Sequence, residues 1–110
     1  MEFSIKDQTV VISQLPETVS DLSEQLISQK ERWQSLHVIL AALECGLTPH
    51  DLYHAISSLA QTHKSNNKSF VLVDSVDRLK DYPEKLTAAP TIEEAFDLIE
   101  MEVIERDLGF

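Results

Sequence analysis

At 110 residues, with 43% hydrophobic and 25% charged side chains, the chain has the size and composition of one globular domain with a real core, and not of a disordered or fibrous protein. Its formal net charge of -10 repels phosphate backbones and anionic lipid, so nucleic acid and membrane surfaces are not expected partners and a basic or neutral protein is. The opening MEFSIKDQ has no apolar run behind a positive start, no stretch is apolar enough to span a bilayer, and the single Cys45 cannot form an internal disulfide, so a soluble cytoplasmic protein is expected.

Phe3 and Ile5 alternate with polar neighbours, and beyond Asp7-Gln8 the run Thr9 to Ser13 places Val10 and Ile12 on one face. That pattern predicts a β-hairpin, although its turn lacks a glycine. Leu15-Pro16-Glu17 breaks the strand pattern. Thr18 with Asp21, or Ser20, can cap a helix whose apolar positions Val19, Leu22, Leu26 and Trp33 recur at helical spacing. Leu36 to Leu43 is nearly all apolar, as a central strand covered on both faces must be. His37 at its start is expected to be hydrogen-bonded and structural, and Cys45 beyond its end a small apolar filler.

Glu44 to Leu47 reads as a short loop, and Thr48-Pro49-His50-Asp51 as a helix start with Thr at the N-cap, Pro at N1 and Asp at N3. Leu52, Ala55, Ile56, Leu59 and His63 then line the inward side. Lys64 to Lys68 is a polar turn, and Ser69 to Val73 predicts another buried strand. Asp74 to Lys85 reads as a short, irregular helix interrupted before Pro83, and Leu86 to Ala89 as a short strand before Pro90.

From Thr91 onward an apolar stripe of Ile92, Ala95, Phe96, Ile99 and Val103 runs through a densely acidic helix. Thr91 with Glu94 reads as a capping box, and Gly109-Phe110 has the pattern of a left-handed C-cap with an aromatic ring free to fold back. Residues 91–110 hold seven carboxylates against one arginine, -6 of the total charge. Met101, Ile104 and Leu108 lie roughly opposite the stripe and form a second apolar patch. Such a patch is either wedged against another element of the chain or marks a protein contact, most simply a homodimer.

The succession hairpin, helix, strand, helix, strand, short helix, short strand, helix predicts an α/β single domain over residues 1–110. It has a mixed, largely parallel sheet, helices packed against it and a long acidic C-terminal helix. One constellation resembles a reactive site. His50 and His54 are four apart on a helix with Asp51 between them, an echo of the H-E-x-x-H zinc pattern, but no third ligand is evident and the carboxylate is one methylene shorter. With two glycines in the chain, phosphate-cradling loops are not expected, and no metal or cofactor is either.

In the order of its elements, the chain resembles the sulfate transporter and anti-sigma-factor antagonist (STAS) domain. The matching pieces are His37 to Ala42, Leu47 to Gln61, KSNNKSFVLV and the closing PTIEEAFDLI. The ending PTIEEAFDLIEMEVIERDLGF is also similar to a group of short bacterial proteins that carry a ribonuclease Z or ribonuclease Z-associated label. Ribonuclease Z itself has a metallo-β-lactamase fold and an H-x-H-x-D-H motif, which this sequence lacks. In phosphorylation-switched STAS members a serine follows an aspartate at the start of the helix after the central strand. The corresponding positions are Thr48 and Pro49, and proline cannot be phosphorylated.

The resemblance therefore implies a non-enzymatic regulatory or protein-interaction module without the phosphoserine switch. Its docking surface is expected at the loop Cys45, Leu47 and Thr48, on the helix face of His50 and His54, or at Met101, Ile104 and Leu108. The alternative is a small metal-dependent hydrolase or ribonuclease-associated accessory protein using His50 and His54.

Overall fold

In the computed structural model, which describes residues 1–109, the hairpin forms between β1 (Glu2–Lys6) and β2 (Thr9–Ser13) with Lys6 opposite Thr9. Asp7 and Gln8 both take positive φ, 52° and 63°. That is the pattern of a two-residue turn whose twist matches the strands, made here without glycine.

The parallel part of the sheet grows from β2 through β3 (His37–Ala41), β4 (Phe70–Val73) and β5 (Ala88–Ala89), and the spatial order β1-β2-β3-β4-β5 is the chain order. A chain that steps one strand sideways each time, always in the same hand, returns over the same face. Accordingly α1 (Val19–Ser28) and α2 (Pro49–Ser65) pack beside each other on one face. There Leu22, Leu26, Leu52 and Ile56 meet Val10, Ile12, Val38, Leu40 and Leu72. The segment after β4, with α3 (Val76–Leu79), adds Tyr82 and Leu86 to that core. The other face has α4 (Ile92–Asp107) alone, whose Ala95 and Ile99 bury against Ile39, Val71, Val73 and Ala89. Val38, Ile39 and Leu40 are all fully buried because β3 has cover on both sides.

Two helix boundaries differ from expectation. The first helix ends at Ser28 and does not run on to Trp33; a 3₁₀ turn, Lys30–Arg32, follows it. Trp33 still reaches the core, and its indole N–H donates to the Leu26 carbonyl at 2.9 Å, a group that a continuing helix would have bonded to its own backbone. The irregular helix expected from Asp74 is a single turn beginning at Val76. The three long helices are each capped by a threonine: Thr18, Thr48 and Thr91 accept from the amides of Asp21, Asp51 and Glu94.

α2 ends in a left-handed Asn67 (φ 63°), with the Asn67 and Lys68 amides bonded to the Lys64 and His63 carbonyls. Gly109 (φ 81°) plays the corresponding part after α4, its amide bonded to the Arg106 carbonyl; the expected contact of the Phe110 ring lies outside the described residues. Among the described residues no helix is long and apolar enough to cross a membrane.

Candidate functional site

The carboxyl ends of the parallel strands carry the loops that open α1, α2 and α3, the usual place for function in an open α/β sheet. One buried charge organises this end. Asp74 follows β4, is fully buried, and has every neighbour it needs: the Ser75 amide at 2.8 Å, Arg78 Nε at 2.8 Å and the Tyr82 hydroxyl at 2.7 Å. Arg78 then spends its second nitrogen on the Leu47 carbonyl at 2.6 Å, which ties the β3–α2 loop to the segment after β4. The Asp74 bond holds the Arg78 guanidinium above its ordinary pKa, and burial, followed by the bond to Asp74, pushes the Tyr82 phenol up. Both stay protonated at any physiological pH. Sequence reading missed this cluster, yet its spacing is i, i+4, i+8, a signal visible had Asp74 been recognised as buried.

That clamp decides what the β3–α2 loop exposes. Leu47 is 5% exposed and belongs to the core, and Cys45 is half-buried with its sulfur accepting from the Leu47 amide at 3.4 Å. The loop's solvent-facing apolar side chain is instead Leu43, and Val76 of α3 is exposed on the neighbouring loop. Thr48 is exposed but its hydroxyl is occupied as the α2 cap.

His50 and His54 both lie on the outer side of α2, and among the described residues the polar contact of His50 is with Asp51, at 3.5 Å with the imidazole 91% exposed. Among the described residues no group of three or more His, Cys, Asp or Glu is gathered closely enough to hold a metal ion.

The remaining candidates lie elsewhere. α4 leaves the carboxyl edge after β5 and runs back, so that Glu102 and Arg106 reach Ser69, just ahead of β4: Ser69 donates to Glu102 at 2.6 Å and Arg106 to the Ser69 hydroxyl at 3.1 Å. Met101, Ile104 and Leu108 are therefore at the opposite end of the sheet from Thr48, and the expected site residues do not form one surface. All three are exposed, at 57%, 51% and 63%. The reading that this patch is wedged against another element of the chain is thus corrected: among the described residues, one helix lies over that face and no other element covers the patch.

The same sparse cover opens a groove. α4 packs mainly over β3, β4 and β5. Between it and the hairpin turn lies a cavity of about 750 Å³, with Ile92, Phe96, Ile99, Val103 and Ile104 among its lining and the carboxylates of Asp7, Glu93, Asp97 and Glu100 around it. Three residues of the predicted buried stripe, Ile92, Phe96 and Val103, are consequently only half-buried. The Lys6 ammonium stands 5.7 Å from the centre of the Phe96 ring, which shows that a cation fits over this apolar surface.

The amino end of the sheet holds two buried histidines. His37 Nδ1 accepts from the Ser69 amide at 3.0 Å, and His63 Nε2 donates to the Leu36 carbonyl at 2.6 Å while its ring meets Trp33 and Phe70 edge-on. Burial is the main reason both imidazoles titrate below their ordinary value; Lys68 adds to this for both, Arg106 for His37, and the Leu36 bond opposes it at His63. His37 is thus the structural histidine its sequence position suggests.

No protein-family model matches the chain, and no curated protein sequence does either.

Proposed function

We propose that the protein is a non-enzymatic, STAS-like interaction module that docks a basic, partly apolar segment of another protein in the groove between α4 and the β1–β2 turn. The observation that carries this reading is the pairing of an apolar floor, Phe96, Ile99 and Val103, with a rim of four carboxylates. Apolar area supplies affinity and the acidic rim selects and steers a cationic partner. Ile104 joins the groove to Met101 and Leu108, so the exposed patch of α4 extends the same surface. A second copy of this chain is a poorer occupant, since a symmetric contact through this helix sets seven carboxylates against seven. The STAS resemblance is supported by the hairpin leading into a parallel sheet and by α2 starting directly after a central strand. The absence of a phosphoserine switch is supported by Pro49 in the position after the Thr48 cap.

The test is affinity capture from the source organism with the parent protein, with Leu43→Glu, with Ile104→Glu and with the double reversal Glu93→Lys/Glu100→Lys. A basic protein is expected to be retained by the parent and by Leu43→Glu, and lost by both groove variants. Retention by the groove variants with loss in Leu43→Glu, or no retained protein at all, overturns the proposal.

A further inference from the structure

A second cavity, of about 440 Å³, lies on the opposite edge of the sheet, and its chemistry is the reverse of the groove's. It exists because β5 is short: Leu72 and Val73 pair with Ala88 and Ala89, whereas Phe70 at the start of β4 has no β5 partner. The chain approaching β5 therefore stands away from β4, and the space between it and α2 stays open.

Phe70, Leu86 and Ala60 form an apolar interior, each at most 9% exposed, and Tyr53 adds a wall. Lys64, near the end of α2, and Lys85 line the same cavity. Lys85 Nζ lies 6.0 Å from the centre of the Tyr53 ring, and among the described residues neither lysine has a carboxylate at ion-pair distance. The one carboxylate of the lining, Glu102, already accepts from Ser69. In a chain of 19 acidic and 9 basic residues, two unpaired lysines beside one apolar cavity make a local reversal of charge. The volume falls within the range of small-molecule sites, and Ser57, Ser58, Gln61 and Thr87 make the rest of the lining polar.

We propose that this cavity binds a small organic carboxylate with a compact apolar body, the body resting on Phe70 and Leu86 and the carboxylate held by Lys64 and Lys85. Both elements are needed: the ammonium groups attract the anion, and the apolar interior excludes small hydrated anions in favour of ligands with a hydrophobic part. The site is independent of the α4 groove, so the two proposals can fail separately.

The experiment is a titration of the ¹⁵N-labelled full chain with 1-naphthoate, followed by amide shifts, beside 1-naphthylmethanol as the uncharged counterpart. Saturable shifts are expected at Gln61, Phe70, Leu86 and Thr87, with a dissociation constant on the order of 1 mM or tighter. The alcohol should bind about tenfold more weakly, and Lys64→Gln/Lys85→Gln should weaken naphthoate by about tenfold, since each is one charge-assisted contact set removed. These lysines are exposed, so the variant keeps its fold, which its unperturbed core amides will report. No saturable shift at those four amides up to about 10 mM, equal binding of the alcohol, or undiminished binding by the double variant overturns the proposal.

Discussion

The two faces of the sheet are built to different standards. On one, α1, α2 and the segment after β4 interlock, and the Asp74–Arg78–Tyr82 cluster fastens the β3–α2 loop to the segment after β4. On the other, a single acidic helix covers three strands and leaves an apolar trough beside the hairpin. The first face is interlocked, and the second keeps apolar side chains only half-covered beside the hairpin. An incompletely covered face retains surface that a partner can still bury.

Removing the clamp should have the largest effect. Arg78→Met leaves the Asp74 carboxylate buried without its cation, and loss of one partner of such a pair costs about 3–5 kcal/mol. Urea denaturation should show a correspondingly lower midpoint; a loss below about 1 kcal/mol would mean that water reaches Asp74 and that the clamp is ornamental.

Next come adjacent residues of β3 that point to opposite faces. Leu40→Ala, under the interlocked helices, should cost about 4 kcal/mol, and Ile39→Ala, under α4 alone, about 2–3 kcal/mol, because a single helix can settle into the cavity. The same denaturation series decides this. Equal costs, or the reverse order, would show that α4 is packed as rigidly as its counterparts.

The smallest effect is on pH. His37 and His63 titrate below their ordinary value in the folded protein, so their contribution is fully present above the unfolded pKa of about 6.5 and is lost as pH falls below it, because the unfolded imidazoles take up protons first. Melting temperature should therefore fall between pH 7.5 and 5.5, and the fall should shrink in His63→Phe. An unchanged slope would show that other groups govern acid lability.

Much of the scaffold was legible before any coordinates. The caps at Thr48 and Thr91, the apolar run of β3 and the stripe of α4 each depend on residues close in sequence, so their periodicity suffices to read them. The misses depend on distance. Trp33 ends α1 by bonding a carbonyl seven residues back, Arg78 meets Leu47 across 31 positions, and the groove joins Lys6 to Phe96 from opposite ends of the chain. The patch at Met101, Ile104 and Leu108 was visible as a stripe, but whether anything covers it depended on how many helices share that face. Within the loop of Cys45, Leu47 and Thr48, the burial of Leu47 was not legible for a similar reason, because Arg78 draws Leu47 inward and leaves Leu43 exposed.

Backbone hydrogen exchange, compared between the free protein and its complex with the captured partner, tests the docking face most directly. Slowed exchange in α4 from Ile92 to Ile104 and in the turn at Asp7 and Gln8, with residues 42–54 unchanged, is the expected result. Slowing confined to residues 42–54, with α4 and the hairpin turn exchanging as before, would contradict it.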